Sequence, residues 1–167
     1  DTFRAYLMFM GPFDEGGDWN DQGITGIDRF LKKVWRFCQL PNSEEVPPKK
    51  DLQILHQTIH AVKNDLNEMK FNTAISRLME FINYFSSHES TTMDIKLNLI
   101  KMIAPLTPHI AEELWEINGG ESSIFLESYP EYDPALAEED SVTIAIQVNG
   151  KLRGNINVSK TVSKEDL

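Results

Sequence analysis

The sequence has a single cysteine, Cys38, among 167 residues, so it can form neither an intrachain disulfide nor a zinc site built from several cysteines. It also lacks an apolar run long enough to cross a bilayer. The short apolar run at residues 5 to 10 follows an acidic Asp1 and leads into Gly11-Pro12 without a cleavage pattern, which argues against an export signal. These absences predict a cytoplasmic protein that does not contact a membrane.

Basic residues are also few. There are 16 Lys and Arg against 26 Asp and Glu, which gives a net charge of -10. This balance argues against a protein whose whole surface attracts nucleic acid, because phosphate binding depends on local Lys and Arg. Any RNA contact must come from a basic patch on an acidic body. Hydrophobic residues at 41% and charged residues at 25% are typical of a globular protein, and the length suits one domain with a small second module.

Apolar residues recur at helical spacing up to about residue 118, which predicts an antiparallel helix bundle. The first helix has apolar residues on nearly every side and ends at Gly11-Pro12, before a loop that runs to about Gly23. The second helix begins near Ile24 and has an apolar stripe formed by Ile27, Phe30, Leu31, Val34 and Cys38. A third helix is predicted over 51 to 70, a fourth begins with Asn72 as its N-cap, and a fifth follows Thr91-Thr92. The last helix is predicted from Thr107-Pro108 to Gly119-Gly120. Its Glu112 and Glu113 are expected to interact favourably with the positive end of the helix dipole.

The pattern changes after Pro130. Residues 131 to 141 are acidic without a calcium-loop spacing, and are expected to form a solvated linker. Residues 142 to 148 alternate between apolar and polar, as in a strand with one buried face. Asn149-Gly150 then predicts a β-hairpin, because both central positions of a type I′ turn need positive φ. Two strands alone are marginal in water, so this hairpin should belong to a larger sheet or lean on the bundle.

Two histidine patterns resemble zinc motifs but are incomplete. His56 and His60 stand four residues apart on a predicted helix, yet Gln57 replaces the glutamate of a zinc protease. His109 opens an inverted zinc motif in which Glu113 stands where the second histidine is required. No Gly-rich phosphate loop and no nucleophile-and-base set has spacing support. We therefore expect no catalytic residue, metal site or cofactor site in this chain.

One basic patch lies on the second predicted helix. Arg29, Lys32, Lys33 and Arg36 project on the side opposite to the apolar stripe, because each residue turns a helix by about 100°. These side chains could bind phosphates, and Arg can grip two oxygens at once. The alternative is that they form only the solvated side of an amphipathic helix.

A second basic candidate lies at the hairpin, where Lys151 and Arg153 accompany Asn149. Its alternative interpretation is charge that protects a sheet edge. Trp19 and Trp35 lie near the first patch, and core packing is favoured over base stacking for both.

Several segments occur together in a specific order. The chain resembles bacterial-type leucyl-tRNA synthetases over essentially its whole length in DTFRAYLMFMGP, a loop that ends in Trp19, GIDRFLKKVWRF, APLTPHIAEELWE and IAIQVNGKLRG. Synthetases for valine and isoleucine have a sequence segment similar to APLTPHIAEELW, whereas the segment QVNGKLRG favours the leucine enzyme.

The resemblance implies a mainly α fold, with an anticodon-binding-like helical domain over 1–130, an acidic linker over 131–141, and over 142–167 the β-hairpin that starts a truncated α+β C-terminal domain. It implies that the class I catalytic domain and the editing domain are missing, so the piece alone would be inactive. The parent enzyme would join leucine to tRNA(Leu) using ATP and Mg²⁺. The implied partners are tRNA(Leu) and the missing catalytic domain of the same chain. The parent would be a monomer, and the piece would self-associate through the apolar side of residues 3 to 10.

The residues expected to contact the tRNA backbone are Arg29, Lys32, Lys33, Arg36, Asn149, Lys151 and Arg153. Arg4 matches a family position beside the catalytic domain, where it either packs or touches RNA. Two other interpretations stay open. One is the corresponding domain of a valine or isoleucine enzyme, and the other is a helical bundle that binds a partner protein through its acidic surface and apolar first helix.

Overall fold

A computed structural model describes residues 1–138 with their side chains and the backbone of residues 141–148 and 151–159. Its helices are α1 Thr2–Phe9, α2 Asp21–Cys38, α3 Lys49–Asn67, α4 Phe71–Phe85, α5 Met93–Ile103, α6 Pro108–Ile117 and the short α7 Pro134–Ala137, with a 3-10 turn at Ile124–Leu126. Two strands follow, β1 Ser141–Val148 and β2 Lys151–Ser159. The mainly helical prediction is confirmed. Among the described residues, no helix combines the length and the hydropathy that a membrane span needs.

The helices α1 to α6 share one apolar core. All five stripe residues predicted for α2 are buried, with 6% or less of each exposed. The other helices contribute large side chains such as Leu55, Ile59, Phe81 and Phe85, which are fully buried. Burying a side chain of this size contributes about 1.5–3 kcal/mol relative to leaving it exposed, so the stripe determines which side of α2 faces solvent.

The turn between α3 and α4 brings these two helices together. Met69 has a φ of 58° there, and the short connection makes α4 fold back along α3. The Asp65 carboxylate accepts a hydrogen bond from Arg77 Nε at 2.6 Å and so joins the two helices across the turn. Asn72, predicted to cap α4, lies inside it instead, because α4 begins at Phe71 with Lys70 in the N-cap position.

A buried lysine holds the loop between α2 and α3. Lys96 on α5 is 2% exposed, and its ammonium donates to the Leu40 carbonyl and, at 2.7 Å, to Asn42 Oδ1. Burial lowers the pKa of Lys96. The same loop pairs with the loop before α5 through a bridge between Asn42 and Thr91. These contacts hold the C-terminal end of α2 against the rest of the bundle.

Two helices begin differently from the prediction. Helix α2 starts at Asp21 rather than near Ile24, because Asn20 accepts a hydrogen bond from the backbone N of Gln22 at 2.8 Å and caps the helix earlier. Helix α6 starts at Pro108 after Thr107, as predicted. However, the Thr107 hydroxyl donates to the Ile103 carbonyl at 3.2 Å and does not cap α6.

The predicted role of two glutamates in α6 is wrong. Neither Glu112 nor Glu113 lies in the first helical turn, where the positive end of the dipole acts. Glu112 instead accepts hydrogen bonds from the Ser123 hydroxyl and, at 3.1 Å, from the backbone N of Ile124. Its carboxylate therefore holds the segment after α6 against the helix.

The first compact unit spans Asp1–Ala137 and the second Glu138–Leu167. The first unit extends beyond residue 130 because the segment before Glu138 packs on α3. There, the Gln57 side chain donates to the Ala137 carbonyl at 2.9 Å, and the rings of His60 and Tyr132 have centroids 4.2 Å apart.

In the second unit, β1 and β2 pair antiparallel, with Val142 opposite Val158 and Ile144 opposite Ile156. The register shifts between Ile146 and Gln147, whose partners are Gly154 and Leu152, so Arg153 is an extra residue in β2. The predicted turn at 149–150 lies outside the described residues.

Candidate nucleic-acid interface

The predicted basic face of α2 is exposed. Arg29, Lys32, Lys33 and Arg36 all reach solvent, on the side opposite to the buried stripe. The packing of α2 against α1 and α4 produces this arrangement, because the stripe can be buried in only one orientation of the helix. The four cations are spread over about two turns of helix.

The four cations differ in their partners. Lys32 pairs with Asp28 at 2.7 Å on the same helix, and an exposed pair of this kind is worth little, about 0.3–0.5 kcal/mol. Lys33 Nζ donates to Asn83 Oδ1 on α4 at 2.7 Å. In the described part of the chain, Arg29 and Arg36 form no ion pair or side-chain hydrogen bond. The two guanidinium groups can therefore bind phosphate without first losing a protein partner.

Trp35 and Trp19 are both more exposed than predicted. Trp35 is 36% exposed and Trp19 is 51% exposed, so the expectation of core packing is wrong. Trp35 lies on the flank of α2, between the buried stripe and the basic face. Trp19 packs edge-on against Tyr6, with centroids 5.0 Å apart, and its Nε1 donates to Asp21 at 2.7 Å. Trp19 thus holds the loop at the start of α2 against α1.

A small cavity of about 140 Å³ lies at the C-terminal ends of α2 and α4. We call it the α2–α4 cavity. The residues that line it are Lys33, Arg36, Phe37, Leu40, Ile82, Phe85, Ser86 and His88. None of these residues is acidic, although the chain as a whole is. The cavity therefore combines an apolar floor with two of the basic-face cations.

A polar cluster borders this cavity. The buried carboxylate of Asp51 accepts a hydrogen bond from Tyr84 at 2.9 Å and lies 3.2 Å from His88 Nε2. Partial burial and the bond to Asp51 raise the pKa of Tyr84. Sequence patterns gave no signal for this cluster, because Asp51 lies in the first turn of α3, Tyr84 lies at the end of α4 and His88 follows α4.

The two histidines of the first zinc-like pattern, His56 and His60, make local contacts with the segment after α6. His56 Nδ1 accepts a hydrogen bond from the backbone N of Asp133 at 3.0 Å, and His60 packs on Tyr132. No group of three or more His, Cys, Asp or Glu side chains suited to a metal ion occurs in the part that was described. Asn149 and the side chains of Lys151 and Arg153 lie outside the described residues.

Arg4 makes a packing contact. Its guanidinium donates to the carbonyls of Leu106 at 3.1 Å and Pro105 at 3.2 Å. These two carbonyls belong to the turn between α5 and α6, so Arg4 attaches α1 to that turn.

Comparison with known proteins gives a consistent result. Residues 49–166 match the family described as the anticodon-binding domain of tRNA ligase. The leucine–tRNA ligase of Chloroherpeton thalassium is 42% identical over 175 residues, which cover 100% of this chain and 22% of the relative. That of Borrelia duttonii is 42% identical over 168 residues, covering 100% of this chain and 20% of the relative. The chain thus spans about a fifth of the length of the curated relatives that it matches.

A solved structure has the same fold. It is the LeuRS of Agrobacterium radiobacter K84, crystallised as a ternary complex with tRNA and LeuAMS. The superposition has a TM-score of 0.78 at 24% sequence identity and covers 99% of this chain and 23% of that one. At this identity the similarity concerns the fold alone.

Proposed function

The chain belongs to the anticodon-binding domain family of tRNA ligases, and on this premise we propose that it forms the tRNA-binding helical domain of a leucine–tRNA ligase. Its role in such an enzyme is to hold the tRNA by its backbone while the chemistry takes place elsewhere. The relatives that support leucine as the amino acid are leucine–tRNA ligases that match the chain over its full length.

The observation that carries this proposal is the exposed basic face of α2 on a strongly acidic chain. Arg29 and Arg36 have no ion-pair partner among the residues that the structure describes, and Lys32 and Lys33 have weak or neutral partners on the protein surface. Phosphate contacts of this kind position an RNA without reading its sequence. The expected binding is therefore weakly sequence-dependent and strongly salt-dependent.

The remaining parts of the proposal concern the whole enzyme. The parent joins leucine to tRNA(Leu) with ATP and Mg²⁺ in a catalytic domain outside this chain, and works in the cytoplasm. The sequence contains no Gly-rich phosphate loop, so no residue of this chain is assigned to ATP. We assign the unit Asp1–Ala137 to tRNA binding and residues 142–167 to the start of a C-terminal domain. Asn149, Lys151 and Arg153 are proposed to add a second tRNA contact.

The test is a titration of the 167-residue chain with leucine tRNA at low and at moderate salt. We expect saturable binding at low salt that weakens steeply as salt rises, because the protein's cations displace condensed counterions from the RNA phosphates into solution. Absence of binding even at low salt would favour a bundle that binds another protein. That rival has its own support in the exposed side chains of α1, where Phe3 is 58% and Leu7 47% exposed.

A further inference from the structure

We infer that Met69 is the site at which peroxide modifies this chain, and that its oxidation releases the loop that joins α1 to α2. Met69 lies at the turn between α3 and α4 and lines a cavity together with Phe13 of that loop. Peroxide is the chemical class of the reactant, and methionine sulfoxide is the product. This site is independent of RNA binding.

Met69 differs from the other methionines in its exposure. It is 48% exposed, whereas Met102 is fully buried. The remaining four are only partly exposed: Met8, Met10, Met79 and Met93. The thiol of Cys38 is buried as well, and a thiol in such surroundings is inert. A small oxidant in the solvent therefore meets the sulfur of Met69 first.

The backbone keeps Met69 at the surface. Its N–H donates to the Leu66 carbonyl at 3.1 Å, and the N–H of Lys70 donates to the Asp65 carbonyl at 2.7 Å. These two bonds form a Schellman motif at the end of α3, in which Met69 has a φ of 58° and occupies the position that glycine usually takes. A side chain at this position strains the backbone. Its presence points to a contact that glycine could not make.

Met69 and the loop between α1 and α2 share a cavity. Residues 12–14 of the loop and residues 68–70 of the turn line it. Its volume of about 510 Å³ leaves room for peroxide, which is little larger than water. The Phe13 ring packs edge-on against Phe71, with centroids 5.6 Å apart, yet Phe13 is 65% exposed. The apolar surface that the α3–α4 connection offers to this loop is therefore small, and Met69 and Phe71 provide it.

Oxidation changes that surface. The Met69 sulfur attacks one peroxide oxygen, so that an S–O bond forms and the O–O bond breaks. The transferred oxygen gives its proton to the departing one, which leaves as water, and the sulfur is oxidised by two electrons. The thioether is apolar and contacts aromatic rings favourably, whereas the sulfoxide is polar. Because a polar oxygen beside Phe13 has to keep its hydration, the apolar contact between loop and turn weakens.

The first test is a time course of the 167-residue chain in dilute hydrogen peroxide, with each methionine followed by peptide mass spectrometry. We expect sulfoxide to form several-fold faster at Met69 than at any other methionine. The same reaction in concentrated urea is the control, because unfolding exposes every sulfur and the rates should converge. Equal rates in the folded chain, or faster oxidation of another methionine, would overturn the assignment of the site.

The second test measures release of the loop. Glutamyl endopeptidase cuts after Glu15, which is exposed in the loop, and oxidation should make this cut several-fold faster. Met69→Leu keeps the apolar volume but has no sulfur, so peroxide should leave its cleavage rate unchanged. Met79→Leu makes the same change at a partly exposed methionine of α4 and should keep the acceleration. An unchanged rate after oxidation of Met69, or an acceleration that persists in Met69→Leu, would overturn the release of the loop.

Discussion

The Asp1 carboxylate accepts a hydrogen bond from the backbone N of Ile110 at 2.6 Å. It also lies 3.1 Å from His109 Nδ1. The residue before α1 therefore caps the first turn of α6, where Thr107 provides no side-chain cap. A carboxylate at this position satisfies one free backbone N–H and faces the positive end of the helix dipole.

This contact predicts the effect of removing the carboxylate. Asp1→Ala should lower the free energy of unfolding by about 1 kcal/mol, the usual value of a helix cap, whereas Asp1→Asn should retain most of it. Urea unfolding at pH 7 measures both. Asp14→Ala, at an exposed position, is the matched control and should change little. If Asp1→Ala were as stable as the unchanged protein, the cap would have no energetic role.

Two glycines of α2 provide a second prediction. A Cβ at Gly23 would come within 2.6 Å of the buried Tyr6 ring, whereas a Cβ at Gly26 would meet nothing within 4 Å. Gly23→Ala should therefore destabilise the chain by about 1–3 kcal/mol through overpacking. Gly26→Ala should stabilise it by about 0.5–1 kcal/mol, because Ala is the better residue inside a helix. Thermal unfolding of the two variants checks the opposite signs, and a stable Gly23→Ala would show that Tyr6 moves freely.

Burial of Cys38 predicts a loss of stability in alkali. Desolvation raises the pKa of this thiol from 9.0 to about 12, against a smaller opposite effect of the Lys96 charge. The unfolded chain releases the thiol proton near pH 9, whereas the folded chain keeps it. The free energy of unfolding therefore falls as the pH rises from 9 towards 12. The loss attributable to this thiol approaches about 1.4 kcal/mol per pH unit.

The measurement for Cys38 is urea unfolding between pH 8 and 11, for the unchanged protein and for Cys38→Ala. The two tyrosines whose pKa is raised by burial, Tyr84 and Tyr129, contribute equally to both proteins, so they cancel in the difference. Parallel curves would mean that the thiol ionises in the folded state as easily as in the unfolded one.

Charge reversal on α2 tests the basic face. Arg29→Glu, Lys33→Glu and Arg36→Glu together should weaken tRNA binding and make it less salt-dependent, by about 0.9 in the log–log slope for each lost phosphate contact. In a full-length leucine–tRNA ligase that contains this domain, the KM for tRNA should rise and leucine activation should stay nearly unchanged. Lys63→Glu on the exposed side of α3 is the control and should have a small effect. Equal loss of both activities would indicate a folding defect.

Much of the helical architecture could be predicted from local patterns. The stripe of α2, the proline start of α6 and the glycines after it depend on residues within a few positions of one another. Helix starts were less accurate. Asn20 caps α2 before the apolar pattern begins, and Asn72 lies within α4, because several polar residues near each start could serve as caps.

The candidate site was predictable only in part. Helical spacing placed Arg29, Lys32, Lys33 and Arg36 on one solvent face, as the structure has them. The same reasoning failed for Trp35, since residues on the flank of a stripe are buried only when a neighbouring helix reaches them. No pattern pointed to His88 or to the cavity that it borders.

The sequence by itself determined the helices and the direction in which each one presents its apolar and charged sides, because both follow from the helical repeat. Only the tertiary structure decided that Asp1 caps α6, that Lys96 holds the end of α2, and that Arg36 lines the α2–α4 cavity. Those relationships join residues that are distant in the chain. They depend on how buried side chains pack the helices against one another. Local patterns in the sequence do not contain this information.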